Sequence, residues 1–219
     1  MQTTDYISND VKPLRLRDNI NMAKKLFSQF PHSHLPVIDR NKYCGSIART
    51  DIEYPEFDNK SLRDIKNQLQ TFYTSEKANW FEVLEYFATY NTNLIPVLNS
   101  NKKYIGYYEL DDFLNIFKST PFIHEEGVVL VIEKGINEYS FSEITQIIES
   151  NNATLFGAFV SKIENNIIQI TLKLSLHDIS NTLQSFRRYN YNILNEFKKD
   201  KYLEKLNERS DYLQKYLNI

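Results

Sequence analysis

Apolar residues in this chain fall into short runs and helical stripes separated by polar turns. In the first 60 residues, Val11 to Leu14 is a brief apolar segment carrying Pro13. Proline cannot donate to a ladder, so the segment predicts a short or edge strand. Asn19 is placed to cap a helix whose apolar positions, Ile20, Ala23, Phe27 and Phe30, are spaced i, i+3, i+7, i+10. Pro31 stops that helix. Leu35 to Ile38 predicts a buried strand, Asp39 to Lys42 a turn, and Tyr43 to Ala48 the returning strand. Pro55 cuts short the helix that Asp51 begins.

The same order is then written again. Leu35-Pro36-Val37-Ile38 maps onto Ile95-Pro96-Val97-Leu98 at an offset of 60 residues; Gly45 maps onto Gly106 and Asp51 onto Asp112 at 61. Upstream, Asn19, Ile20, Ala23 and Phe27 map onto Asn79, Trp80, Val83 and Phe87. Such a duplication marks a supersecondary unit that needs its twin to complete a core. Between the copies, Ser61 and Asp64 have the spacing of a capping box, and Leu62, Ile65, Leu69 and Phe72 supply a helical face, so a connecting helix is expected. The second copy predicts a helix from Trp80 to Phe87, strands over Leu94 to Leu98 and Tyr104 to Tyr108, and a helix over Asp111 to Phe117. Pro121 closes it.

From Gly127 the pattern changes. Val128 to Ile132 is a continuous apolar run suited to a central strand. Phe141, Ile144, Ile147 and Ile148 form a helical face. Two strand-like runs, Thr154 to Ile163 and Ile167 to Leu174, flank a hairpin turn at Glu164-Asn165-Asn166. Ile179, Leu183 and Phe186 give a second helix and Tyr191 to Leu194 a last strand. The order is βαββαβ, the split βαβ arrangement. A terminal helix over 200–219 carries a heptad seam, Leu203, Leu206, Ser210, Leu213 and Leu217, shorter than three heptads. It suits packing on a neighbouring subunit or back on its own chain.

Composition narrows the function classes. The 219 residues carry 26 Lys and Arg against 28 Asp and Glu, so no net field favours nucleic acid or an acidic membrane surface. The aromatic residues recur at core spacing, not as a stacking surface. One cysteine, Cys44, excludes an internal disulfide framework and a thiolate zinc cluster, and in its apolar strand it reads as a small core residue. No charged-then-apolar leader starts the sequence and no apolar run approaches 18 residues, so a soluble, cytoplasmic chain is expected. Among five glycines none forms a GxGxxG, P-loop or G-x-S-x-G pattern, and no triad spacing is evident, so an enzyme is not expected. His32 and His34 lack the Cys or carboxylate cluster that would complete a metal shell and read as hydrogen-bonded structural histidines.

Asp51 and Asp112 are the strongest site candidates. An aspartate that follows a strand at a helix start can accept two hydrogen bonds from vicinal ribose hydroxyls, while the free helix N–H groups favour a phosphate nearby. The same residue can equally serve as a plain N-cap.

The order of helix, apolar-Pro-Val strand, polar turn, Gly-led strand and Asp at a helix start, present twice, resembles a CBS domain pair over 1–121, with repeats of about 1–60 and 61–121. The βαββαβ pattern over 126–197 resembles an ACT-like domain. Together they resemble the acetoin utilization family of CBS–ACT proteins. The resemblance implies an α+β fold: pseudo-twofold tandem CBS repeats, a ferredoxin-like domain and a terminal helix. It implies a regulatory sensor that binds an adenosine-type ligand (AMP, ATP or S-adenosylmethionine) between repeats, with no required cofactor. Such a ligand acts by binding one domain arrangement better than another. A constitutive assembly protein with non-binding clefts is the alternative. A homo-oligomer, most simply a homodimer, is expected on the tail seam and the two modules.

In that family the hydroxyl of a Gly-x-x-Ser/Thr-x-x-Asp pattern faces phosphate and the Asp holds ribose. Here the hydroxyl slot is Ala48 in repeat one and Glu109 in repeat two. The implied clefts are formed by Pro36, Val37, Gly45, Ala48, Arg49 and Asp51 in the first case and Pro96, Gly106, Glu109 and Asp112 in the second. Arg15 and Arg17 are expected at the rim of the first. The anionic Glu109 slot predicts that a phosphate-bearing ligand prefers the Asp51 cleft. In the ACT-like part, the loop from Glu133 to Ser142 enters its helix through Tyr139-Ser140-Phe141, and Gly135 comes too early for the usual amino-acid site. A structural or dimerising role is expected there.

Overall fold

The computed structural model describes residues 3–53, 60–175 and 179–195, and the seam from Leu203 to Leu217 lies outside them. The chain divides into two compact units, Met1–Phe117 and Lys118–Ile219.

In the first unit the two repeats fold alike. Repeat one has β1 (Leu14–Arg15), α1 (Ile20–Gln29), β2 (His34–Asp39), β3 (Lys42–Ala48) and a 3-10 turn, Thr50–Ile52. Repeat two has β4 (Thr74–Ser75), α2 (Trp80–Thr89), β5 (Leu94–Leu98), β6 (Tyr104–Glu109) and α3 (Leu110–Lys118). β1 is an edge strand that runs parallel to β2 with Leu14 opposite Val37; in repeat two, edge strand β4 places Thr74 opposite Val97. The hairpins match too. Val37 faces Gly45, Val97 faces Gly106, and both ladders shift register immediately afterwards. Asn19 caps α1, its side chain accepting from the Asn21 amide at 2.9 Å. Asn79 makes a full capping box on α2, accepting from Phe81 and Glu82 while Glu82 accepts from the Asn79 amide at 2.9 Å. Ile20, Ala23 and Phe27 bury one helix face, and Val83 and Phe87 the other.

The connecting helix expected over 61–72 does not form. Ser61 and Asp64 do bond, the amide and hydroxyl both donating to Asp64 Oδ2 at 2.8 Å. The chain then makes turns and one 3-10 turn, Lys66–Gln68. Leu62, Ile65, Leu69 and Phe72 are all buried, but along a strap wrapped over the repeats instead of on a helix face. An extended course at Gln70 is needed because its backbone exchanges hydrogen bonds with Ser46 of β3, at 2.8 and 2.9 Å. The N-terminal segment does the same for repeat two: Ser8 exchanges backbone bonds with Tyr107 of β6 at 2.9 and 3.0 Å.

These crossings explain the duplicated glycine. Gly45 (φ +139°) and Gly106 (φ +149°) lie where the crossing chain touches the strand. A Cβ at Gly45 would stand 2.8 Å from Leu69 Cβ, and one at Gly106 would stand 2.6 Å from the Ser8 carbonyl oxygen. The positive φ and the missing side chain are both required.

The second unit contains α4 (Pro121–His124), β7 (Val128–Gly135), α5 (Phe141–Ser150), β8 (Leu155–Glu164), β9 (Ile167–Leu174), α6 (Ile179–Arg188) and β10 (Asn192–Ile193). Pro121 therefore opens a short helix. The sheet order is β10-β7-β9-β8, with every neighbour antiparallel. The βαββαβ order expected from the sequence is present, with β7 running three residues longer, to Gly135, and the last strand reduced to two. Leu130, Ile132, Ile170 and Leu172 meet Ile144, Ile148, Leu183 and Phe186 in one core. Asn165 and Asn166 both take positive φ, as a tight hairpin requires.

Candidate ligand cleft

The site is built where β2 begins and β3 ends. His34 pairs with Ala48, so residues 49–51 turn over the start of β2. Arg49 fixes that turn. Its amide donates to the Ser33 carbonyl at 2.8 Å, and Nη2 donates to the Phe30 and His32 carbonyls at 2.7 and 3.0 Å. Its guanidinium lies over the Phe27 ring, 5.1 Å from the centroid. The side chain expected to line the first cleft is thus engaged with main-chain oxygens and an aromatic face. It also lines a cavity of about 290 Å³ with Lys24, Ser28 and Ile52.

Asp51 is the middle residue of the 3-10 turn, half-buried, and the N-cap position is Arg49 with no side-chain bond. The plain N-cap reading of Asp51 therefore does not hold. Among the described residues its carboxylate makes no hydrogen bond. It acts on buried His34, whose pKa is lowered by burial against the opposing pull of Asp51 and a hydrogen bond with Gln70. The His34 ring stands edge-on to Phe72 at 5.3 Å, and its Nδ1 lies 2.9 Å from Ser33 Oγ. Asp51, Ala48, His34, Gln70 and Phe72 thus share one neighbourhood.

The two repeats meet beside it. Ser33 and Asn93, equivalent positions just before the apolar strands, bond reciprocally. The Ser33 amide donates to Asn93 Oδ1 at 2.8 Å and the Asn93 amide to Ser33 Oγ at 3.1 Å. Ser33, Gln70 and Asn93 were missed in the sequence. The legible signal was a polar residue in the same place in both copies.

In repeat two, Glu109 occupies the place of Ala48, but it reaches across to repeat one: Oε1 lies 3.2 Å from His32 Nε2. His32 is buried between Phe30, stacked at 5.9 Å, and Tyr107, edge-on at 5.6 Å. Glu109 is therefore a link between the repeats. Asp112 is the third residue of α3, so it is not an N-cap either. Its carboxyl pKa is raised, first by burial and then by Glu109 and Asp111.

The remaining candidates divide. Val37 is fully buried core, and Pro36 and Pro96 are buried in mid-strand. Gly45 and Gly106 admit the crossing chains. Arg15 and Arg17 do not reach the Asp51 cleft. They lie with Asp39 and Arg40 at the other end of β2, five residues from His34, a distance of about 17 Å along a strand.

Residues 4–53 match the family model of the CBS domain. That match covers repeat one. Repeat two repeats its pairing, capping and register, so the first unit is CBS-pair-like. No curated protein matches the sequence. Among solved structures, a CBS domain pair/ACT domain protein from Thermotoga maritima is 19% identical with a TM-score of 0.48, over 53% of this chain and 96% of that one. CBSX2 in complex with AMP is 16% identical with a TM-score of 0.45, over 53% and 95%. The CBS domain pair of protein MJ0100 in complex with 5′-methylthioadenosine and S-adenosyl-L-methionine is 21% identical with a TM-score of 0.44, over 53% and 99%.

Proposed function

We propose that the chain is a non-enzymatic, cytoplasmic sensor whose CBS pair holds an adenosine-type ligand at the Asp51 cleft. The observation that carries this reading is the state of Asp51: a half-buried carboxylate, on a turn locked by Arg49, that caps nothing, three residues after the neutral Ala48. It is free to take the two ribose hydroxyls. At the second cleft, a phosphate would meet Glu109, Asp111 and Asp112. At about 4 Å one such pair is repelled by about 1 kcal/mol even in bulk water and by more in a sheltered cleft. Losing a slot hydroxyl costs about 0.5–1.5 kcal/mol, and Ala48 brings no repulsion. AMP or ATP therefore binds at Asp51, while the Asp112 cleft stays empty or takes a ligand that keeps phosphate away. The second unit is an ACT-like, ferredoxin-like domain with a structural or dimerising role.

Calorimetry with AMP, ADP, ATP and S-adenosylmethionine tests this. AMP binding should vanish in Asp51→Ala and persist in Asp112→Ala. The opposite pattern, or silence of the wild type toward all four, overturns it. Constitutive assembly is the second reading. It is favoured by β8, an edge strand with Phe159 and Ile163 exposed, and it predicts a homodimer with no ligand response. Among the described residues no helix is long and apolar enough to cross a membrane.

A further inference from the structure

At the far end of repeat one, three segments distant in sequence converge on one cavity of about 400 Å³. The tight turn after β1 brings Arg15 and Arg17, the β2–β3 turn brings Asp39, Arg40 and Asn41, and the strap brings Arg63. Each segment is held by its own backbone. The Arg15 amide donates to Asp18 Oδ2 at 2.8 Å, and the Asp18 amide to the Arg15 carbonyl at 2.8 Å. The Leu62 amide donates to the Asp18 carbonyl at 3.0 Å, tying the strap to that turn. Arg40 and Asn41 take the positive φ values of a two-residue turn. Four arginines thus line one opening with a single acidic residue, Asp39, among the lining residues. Among the described residues none of the four guanidinium groups makes a hydrogen bond or ion pair.

Repeat two supplies an internal contrast. The positions equivalent to Arg15, Arg17 and Arg40 are Ser75, Lys77 and Ser100. There the tip is closed from within: the Ser100 amide and hydroxyl donate to Glu76 Oε1 at 3.1 and 3.2 Å. Repeat one carries Leu16 where repeat two has Glu76, and no such link forms. The same fold position is neutralised in one copy and left open and cationic in the other.

We infer that this arginine-lined cavity is a second ligand site, taking an anion with two or more linked phosphoryl groups. Guanidinium forks match phosphate oxygens bidentately, and four forks against one carboxylate exceed what a single phosphate can use. The site lies at the opposite end of β2 from Asp51 and does not depend on that cleft. The phosphoryl chain could belong to free polyphosphate or to a nucleoside polyphosphate, and the titrations separate these.

The test is calorimetry at physiological ionic strength on the full chain carrying Asp51→Ala, with tripolyphosphate, ATP and AMP as probes. Tripolyphosphate and ATP should bind alike and AMP at least about tenfold more weakly. Arg40→Ala or Arg63→Ala should each weaken tripolyphosphate about tenfold or more, the scale of one charge-assisted hydrogen bond. Lys77→Ala, at the repeat-two counterpart, should leave binding unchanged. All four arginines are exposed, so the variants should keep the wild-type unfolding midpoint. Silence toward tripolyphosphate, ATP binding without tripolyphosphate binding, or an equal loss in Lys77→Ala overturns the inference.

Discussion

Replacing Gly106 with alanine tests whether the crossing chain, and not local turn chemistry, dictates that glycine. At φ +149° a side chain is strained, at roughly 1–3 kcal/mol. The new Cβ would lie 2.5 Å from Ile7 Cγ2 and 2.6 Å from the Ser8 oxygen. The methyl of Ile7 can turn away, but Ser8 is held to Tyr107 by two backbone bonds, each about 1 kcal/mol. Relief means losing both, so the total is about 3–5 kcal/mol. Gly45→Ala is the control. It shares the positive φ, and its new Cβ would lie 2.8 Å from Leu69 Cβ and 3.1 Å from the Gln70 oxygen, so the strap must shift, but by less than the Ser8 segment, whose oxygen is 2.6 Å from the Gly106 position. Its loss should exceed the strain alone, about 1–3 kcal/mol, and stay below that of Gly106→Ala. Urea unfolding followed by the fluorescence of Trp80, the one tryptophan, reads the first unit directly. A Gly106→Ala midpoint matching wild type, or a larger loss in Gly45→Ala, would refute the reasoning.

Other outcomes follow from the caps and the titrating groups. Asn79→Ala removes the side chain that accepts from two amides, those of Phe81 and Glu82, and should cost about 1 kcal/mol in the same urea assay, more than Asn19→Ala, where one amide is accepted. Burial lowers the pKa of His34 below its ordinary 6.5, so the unfolded chain binds the extra proton and stability falls as pH drops through 6.5. His34→Gln should flatten the difference between urea midpoints at about pH 7.5 and about pH 5.5; an unchanged slope would acquit the histidine. Lys134 bonds Glu143 at 2.9 Å and holds its carboxyl pKa down, so Lys134→Met should raise it in a carbon-13 NMR titration.

The duplicated pattern made most of the first unit legible, because proline, glycine and apolar runs recur wherever the pairing does. The strap over 61–72 was not. Leu62, Ile65, Leu69 and Phe72 have helical spacing, yet all four are buried by a chain that bends over the repeats, and the Gln70–Ser46 pairing that holds it leaves no periodic mark. Arg15 and Arg17 were placed at the wrong end of the sheet although a rule was at hand. A strand, helix and strand in sequence make a parallel crossover, so residues following β1 must lie by the last residues of β2. The His32–Glu109 and Ser33–Asn93 links escaped because each joins two repeats through residues that look unremarkable within either one. In the second unit the element order was readable from periodicity alone, and the boundaries moved by a few residues.

The crossing segments carry a consequence for how such a chain can be cut or assembled. The piece that borders β6 precedes repeat one, and the piece that borders β3 precedes repeat two. Each copy therefore lends its leading arm to the other, as two subunits do in an arm-exchanged dimer. A single copy excised from this chain would hold an arm with nothing to lie against and a strand with a bare edge. Its simplest remedy is a second identical molecule, which makes the present chain equivalent to such a dimer fused end to end. Removing the first ten residues should accordingly injure the half of the unit that lies farther along the sequence.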